Sequence, residues 1–470
     1  MSQAITRRGF GAAAFVGSLA AAQAKRPNIL VILSDDHSVP FMGCYGNKTI
    51  QTPNLDRFAG EGMRFDKAFT AAPQCVPSRT AIMTGRSPVG ARMGRFSSPL
   101  PPDVTTLPEQ LRKAGYFTGI CRRQFHLDGA ARPGSVSKEI FDRHGLQTFD
   151  QRVDWLDRNS PRAQTENKVN EFLDKRPAEK PFFLWVNFND PHHVWDRTGQ
   201  HDAKKLAVPA WLPDLPGMRD DLARYSDEVG RMDGEFQSVL DILAKRGLSS
   251  ETLVVFMGDN GMAFPHGKGS LYDPGLNVPL LVRWPGRVKA GTSTGDLVSG
   301  EDITPTLLDA AGLAKTKEMS GRSFLGRLTG AAGYQPRTSI FAARLAHGGA
   351  AYSPSASTFD LSRAVRTRRW KLIYNCTPHQ RYQPVDSARD AGWLEMVKAH
   401  EAKQLPAAME QTYFAWPRPV FELYDLEADP TEMTNLAGKA EHAAVERELK
   451  VIMQEKMILD YDFLPLPLAE

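Results

Sequence analysis

The feature that most constrains this chain is a series of short apolar runs, unbroken by charge, that alternate with helical patterns. Asn28–Ser34 (NILVILS), Pro181–Asn189 (PFFLWVNFN), Thr252–Gly258 (TLVVFMG) and Pro279–Arg283 (PLLVR) have the continuous apolarity of strands buried on both faces. Tyr116–Cys121 is predicted as another strand. Thr52-Pro53 opens a helix through Leu55, Phe58 and Ala59, with Thr as cap and Pro at the first helical position. Leu107–Ala114, Asn167–Arg176 and Ile303–Ala311 are predicted helices. Leu222, Tyr225, Val229, Met232, Phe236, Val239 and Leu243 keep the 3-or-4 spacing of one long amphipathic helix. This alternation predicts an α/β fold: a doubly wound, mostly parallel sheet with helices on both faces, over residues 25–335.

Beyond about residue 335 the texture changes. Arg363–Asn375 (RAVRTRRWKLIYN) and Val420–Asp425 (VFELYD) read as half-exposed strands, and a helix follows from Glu441 to Met457. A smaller α+β subdomain with antiparallel strands is predicted over 336–470.

Residues 1–24 read as an export signal rather than as part of the fold. They hold no acid, a basic pair at Arg7 and Arg8, an apolar run from Phe10 to Ala22, and a small-x-small step at Ala22-Gln23-Ala24. Thr6-Arg7-Arg8-Gly9-Phe10 resembles the twin-arginine type, which implies the twin-arginine export machinery as a partner. The mature protein is then expected to begin near Lys25 and to be periplasmic or secreted. No second long apolar stretch follows, so no membrane span is expected. The net charge of +4 is spread along the chain and gives no case for nucleic acid. Four cysteines in 470 residues exclude a disulfide scaffold.

Polar residues with chemistry to offer gather where the apolar runs end. The first run stops at Ser34-Asp35-Asp36-His37 and another at Asp259-Asn260-Gly261. In an open parallel sheet, the carboxyl ends of the strands line the ligand crevice. Asp35, Asp36, Asp259 and Asn260 could converge there as four oxygen donors, a set suited to Ca²⁺ or Mg²⁺. Taken pair by pair, the same residues also serve as loop formers.

Residues 73–79 read Pro-Gln-Cys-Val-Pro-Ser-Arg. Cys75-x-Pro77-Ser78-Arg79, followed by Thr80-Ala81-Ile82-Met83-Thr84-Gly85-Arg86, resembles the core signature of the type I sulfatases. Asp35-Asp36 upstream and Asp259-Asn260-Gly261 downstream fit the same family. Tyr225–Pro285, Arg363-Ala364-Val365-Arg366 and Phe421-Glu422-Leu423-Tyr424-Asp425-Leu426 look most like its sulfamidase (heparan N-sulfatase) branch. The resemblance covers the mature chain and implies an alkaline-phosphatase-like fold. It also implies a sulfated saccharide of glycosaminoglycan type as substrate, carrying an O-sulfate or an N-sulfate.

The resemblance also implies chemistry. Cys75 would be oxidised by a formylglycine-generating maturation enzyme, and the hydrated aldehyde would attack sulfur beside the cation, with Cys75 itself reaching the metal. A cation next to a hydroxyl favours its deprotonated form. Arg79, one helical turn on, would orient and neutralise that group. His192, in Asp190-Pro191-His192, would bind sulfate or give the leaving group its proton, and Lys268 would hold the sulfate. Family members often carry Gly-Lys-x-His-Leu after the strand matching Tyr116–Cys121. Here Arg122-Arg123-Gln124-Phe125-His126-Leu127 keeps His126 but has no lysine. Either Arg123 or Gln124 stands for it. Arg123 can clamp an anion but cannot release a proton, which puts the acid role on His126 or His192.

His347 and Arg366 are candidates for sugar contacts, with scaffold roles as the alternative. Two other functions fit parts of the pattern. One is a phosphonate monoester or phosphodiester hydrolase of the same fold. The other is an inactive sulfated-glycan binder, suggested by the altered 122–126 stretch. Setting Cys75 aside leaves Cys44, Cys121 and Cys376, an odd number, so at least one stays unpaired within the chain.

Overall fold

A computed structural model describes residues 26–94, 99–127, 134–146, 148–347 and 359–469. The export segment expected at 1–24 lies outside the described residues. In chain order the strands are β1 (Asn28–Ser34), β2 (Met63–Phe65), β3 (Ala68–Phe69), β4 (Phe117–Cys121), β5 (Trp155–Asp157), β6 (Phe182–Asn187) and β7 (Thr252–Gly258). They continue with β8 (Leu280–Arg283), β9 (Thr292–Thr294), β10 (Val298–Ser299), β11 (Ile340–Arg344), β12 (Ser362–Arg366), β13 (Trp370–Asn375) and β14 (Phe421–Asp425).

Eight strands form the large sheet in the order β5-β4-β6-β1-β7-β8-β2-β9. From β5 to β7 every neighbour is parallel, with β1 paired to β6 on one side and β7 on the other. β8 runs antiparallel to both β7 and β2, so the sheet is mostly parallel.

Alternate residues of the apolar runs feed two separate cores. Leu30, Ile32, Leu184, Val186, Val254 and Phe256 point to one face, where the Pro216–Lys245 helix lays Leu222, Tyr225, Val229, Met232 and Phe236. Ile29, Val31, Leu33, Phe183, Trp185, Val255 and Met257 point to the other, against Leu107, Leu111, Ile303 and Leu307 of two further helices. A strand apolar on both sides has no face to give to water, and this is why the runs carry no charge. Gly119 in β4 serves close approach: a Cβ there would lie 2.4 Å from the Phe172 ring of the helix above.

β11–β14 form a separate four-stranded antiparallel sheet in sequence order. The run Arg363–Asn375, expected as a single strand, is two strands joined by a reversal at Thr367–Arg369, where Thr367 N–H donates to Trp370 O at 2.8 Å. Arg368 and Arg369 sit at this turn, where Arg369 pairs with Asp425 at 2.6 Å. The strands are also more buried than expected, since the sheet is covered on both faces. Ala364 and Ile373 pack on Phe69 and Leu276 of the large unit, and Val365 and Leu372 pack on Leu449 and Met453. The last two belong to the helix Ala443–Leu459, predicted as Glu441–Met457. Cys44, Cys75, Cys121 and Cys376 are all free thiols.

Candidate active site

The site forms where β1, β6 and β7 end. The ends of β1 and β7 are latched to each other: Asp259 N–H donates to Ser34 O at 3.1 Å and His37 N–H to Asn260 O at 2.8 Å. Asp36 N–H donates to the Asp259 carboxylate at 3.0 Å. Asp36 sits at φ 63°, in the left-handed region that a non-glycine residue adopts only at a cost. Arg123 (φ 50°) and Asp386 (φ 69°), both described below, share that conformation. Strained backbone of this kind is characteristic of sites where side-chain aim matters more than stability.

Cys75 is the first residue of the helix Cys75–Thr84, all of whose residues are buried. Its turn is pinned from behind, since the Gln74 side chain donates to Leu345 O and accepts from Leu345 N–H, both at 3.0 Å. Ser78 Oγ donates to the Asp259 carbonyl. The helix therefore presents Cys75 Sγ at 3.6 Å from Asp35 Oδ1. Arg79, one turn later, donates Nη2 to Asp35 Oδ2 and Nε to Asp259 Oδ2, each at 2.9 Å. Its Nη1 reaches Asn187 Oδ1 at 2.6 Å.

The ring of charge continues with Arg123, whose Nη2 lies 2.7 Å from Asp35 Oδ2. Lys268 Nζ lies 2.8 Å from Asp36 Oδ1 and 3.5 Å from His192 Nε2. His126 Nδ1 lies 3.6 Å from Asp35 Oδ2, and its ring centroid is 5.9 Å from that of His192. Burial alone would raise every carboxylate here. For Asp35, the guanidinium groups of Arg123 and Arg79 outweigh burial and hold it well below the ordinary range. For Asp36 and Asp259 burial wins, and they are pushed up to about 6 and about 7. Burial, joined by Lys268, lowers His192 to about 3, and burial, joined by Arg123, lowers His126 well below its usual value. Burial also opposes the charge on Lys268, but Asp36 and Asp386 hold its ammonium well above the ordinary range.

These residues fit a hard divalent cation. Asn260 donates Nδ2 to Asp36 Oδ1 at 2.8 Å, while its buried Oδ1 has no partner. Asp35, Asp36, Cys75 and His192 each offer a ligand atom within 4.8 Å of the others. Asp259 lies outside that tight group, and its oxygens accept from Asp36 N–H, Asn260 N–H and Arg79. Among side-chain donors, carboxylates and an amide oxygen suit Ca²⁺ or Mg²⁺ better than a softer ion.

The structure thus brings together Cys75, Arg79, Asp35, Asp36, Asp259, Asn260, Arg123, His126, His192 and Lys268. It separates Gln124, whose amide binds Asp150 at 3.1 Å and Arg158 at 2.8 Å, away from Asp35. Arg366 is scaffold: it pairs with Asp273 at 2.9 Å and lies over the Phe69 ring. His347 reaches the edge of the site, 3.6 Å from Asp386. Sequence reasoning missed two residues. Asn187 is a fully buried amide that binds Arg79 and caps the backbone of Arg122 at 2.8 Å. A polar residue inside the run PFFLWVNFN was its signal. Asp386, 2.7 Å from Lys268, lies in a stretch with no pattern to mark it.

Residues 27–313 match the sulfatase family, and residues 264–415 match the C-terminal region of N-sulphoglucosamine sulphohydrolase. The human N-sulphoglucosamine sulphohydrolase is 30% identical, over 88% of this chain and 86% of its own. An ulvan-active sulfatase of Formosa agariphila is 29% identical, over 89% of this chain and 72% of its own. Among solved structures, a protein in complex with its substrate D-glucosamine-2-N,6-O-disulfate superposes with a TM-score of 0.69 at 20% identity, covering 93% of this chain and 99% of that one.

Proposed function

The chain belongs to the sulfatase family, and on that premise we propose that it removes sulfate from a sugar of glycosaminoglycan type, using Cys75 matured to formylglycine and a divalent cation. It is a sulfuric ester hydrolase, and its C-terminal match is to the sulfamidase branch. The observation that carries the reading is the buried meeting of Cys75 with Asp35, Asp36 and His192, inside a ring made by Arg79, Arg123 and Lys268. A buried anion site needs that density of fixed positive charge, because water is not there to solvate it.

Asp35, Asp36, Asp259 and Asn260 would hold the cation, Ca²⁺ or Mg²⁺, whose contribution is to favour the deprotonated form of an adjacent hydroxyl. Formylglycine at position 75, made by a maturation enzyme, would supply that hydroxyl as its hydrate. The rest falls to residues of this chain. Arg79 holds Asp35 and Asp259 in register on one side and faces Cys75 on the other. Arg123, beside Asp35, and Lys268, beside Asp36, present cations to the sulfate. His192 and His126 lie side by side with ring centroids 5.9 Å apart; burial keeps both neutral, so the one that serves as acid takes up its proton once the sulfate anion is bound and passes it to the leaving amine or alcohol. Arg123, always charged, holds sulfate without trading a proton.

For the substrate we favour a terminal N-sulfated glucosamine over an O-sulfated sugar, since residues 264–415 match the C-terminal region of N-sulphoglucosamine sulphohydrolase. Releasing free sulfate from N-sulfoglucosamine, glucosamine-6-O-sulfate and an ulvan oligosaccharide in parallel tests this. Turnover of the N-sulfate above the others is expected. Turnover of phosphate diesters above all sulfates would point to the phosphonate-hydrolase reading, and an unmodified Cys75 peptide by mass spectrometry, in protein made with the maturation system, would point to a glycan binder. We also propose that residues 1–24 direct twin-arginine export to the periplasm or beyond. No helix among the described residues is long and apolar enough to cross a membrane. N-terminal sequencing of the exported protein should begin near Lys25.

A further inference from the structure

Lys268 is held by two carboxylates from different parts of the chain. Asp36, at the end of β1, lies 2.8 Å from its Nζ, and Asp386, from the segment after β13, lies 2.7 Å away. The lysine side chain is almost fully buried, whereas that of Asp386 is 28% exposed. Asp386 is placed by close packing. Val385 is buried against Gly269, the residue after Lys268, so tightly that a Cβ on Gly269 would come within 2.3 Å of Val385 Cγ2. Gly269 N–H donates to Pro73 O at 2.8 Å, two residues before Cys75. Asp386 itself is left-handed, and the next residue, Ser387, donates its N–H to Val385 O at 2.9 Å. The other groups near the Asp386 carboxylate are His347, at 3.6 Å, and His192.

We propose that Asp386 is a positioning residue: it shares the Lys268 ammonium with Asp36 and so holds it over the sulfate site instead of leaving it to Asp36 alone. The inference rests on the reading of Lys268 as a sulfate-binding group. It means that the small unit completes the site of the large one. A residue that touches no substrate thereby sets the aim of one that does.

Simple electrostatics predicts the opposite sign, which makes the test sharp. Removing a negative charge beside an anion site should tighten anion binding. Removing an anchor should loosen it. Asp386→Asn separates the two, because Asn tolerates the left-handed conformation and the substitution removes only the charge. Inorganic sulfate is titrated into the cation-loaded protein and followed by calorimetry, with thermal unfolding confirming that each variant is folded. Asp386→Gly, which suits the same backbone, replaces Asp386→Asn if that variant does not fold.

The expected result is about tenfold weaker sulfate binding in Asp386→Asn, and no weakening when the same change is made in Lys268→Ala, since coupled residues are not additive. Tighter sulfate binding in Asp386→Asn, or equal weakening with and without Lys268, overturns the inference alone. Sulfate binding unchanged in Lys268→Ala removes the reading of Lys268 itself, and the inference with it.

Discussion

Two buried charge clusters share one stretch of chain, Asp259 to Leu276. At its start Asp259 and Asn260 join Asp35, Asp36, Arg79, Arg123 and Lys268 at the strand ends. At its far end Asp273 joins Arg366, Lys371 and Glu432 between the stretch and the small sheet. Formal charges balance in both, but in the second cluster each charge meets its counter-charge within the cluster. Lys371 Nζ lies 2.6 Å from both Asp273 and Glu432, and Arg366 grips Asp273 at 2.9 Å. The first cluster does not close on itself. Asn260 Oδ1 has no partner, and a thiol and two imidazoles face inward. A closed cluster fixes how parts of a chain sit together; an open one leaves valence for something else. Disturbing the two should therefore separate activity from stability.

The largest separation is expected at Cys75. Cys75→Ala should lower sulfate release by at least about 10⁴-fold, as loss of a nucleophile does, while the thermal midpoint stays within a few degrees of the parent. Steady-state assay and a melting curve on the same preparation check both halves. A fall in stability as large as the fall in rate would make position 75 part of the scaffold and erase the contrast.

Next come the cation ligands and the clamp. Asp259→Asn and Arg123→Ala should each cost about 10²-fold or more in turnover, the scale seen for single electrostatic groups aimed at a reacting centre. Only Asp259→Asn should also weaken Ca²⁺ binding in a calorimetric titration. Chelation with the metal verified absent should reproduce the loss of turnover, and full activity without metal would remove the ion from the site.

The closed cluster should behave the other way. Lys371→Ala leaves Asp273 and Glu432 buried with half their compensation, which typically costs about 3–5 kcal/mol of stability. Turnover by the protein that remains folded should fall by less than about 5-fold, since no group that faces the site has been removed. Denaturant unfolding alongside kcat measures the pair. A loss of turnover far beyond this would mean that the small sheet aligns the site more directly than through Asp386.

The sequence made the open cluster legible and hid the closed one. Apolar runs ending in Asp-Asp and Asp-Asn announce strand ends, and parallel topology puts strand ends together. Cys75-x-Pro77-Ser78-Arg79 is a local pattern with fixed spacing, so a linear reading finds it. Asp386 and the partners of Asp273 meet only after the chain has crossed from one sheet to the other, and no spacing encodes that. The split of Arg363–Asn375 into two strands was readable in principle, because Arg366-Thr367-Arg368-Arg369 interrupts an otherwise apolar pattern. The strands of two or three residues, such as β3 and β10, offer too few side chains for any period to appear.

The smallest effect is expected where the sequence left the choice between neighbours open. Two successive left-handed residues, Arg122 and Arg123, turn the chain after β4 so that Arg123 enters the site while Gln124 turns to Asp150 and Arg158. Gln124→Ala should therefore change kcat/KM by less than about 2-fold, in the range of substitutions away from a site. It should cost slightly in stability through the lost bonds to Asp150 and Arg158. If instead Gln124→Ala approached the loss in Arg123→Ala, the amide would be acting on substrate after all. The place of the missing lysine would then be shared by two residues, and the open cluster would extend one step further along the chain than its geometry draws it.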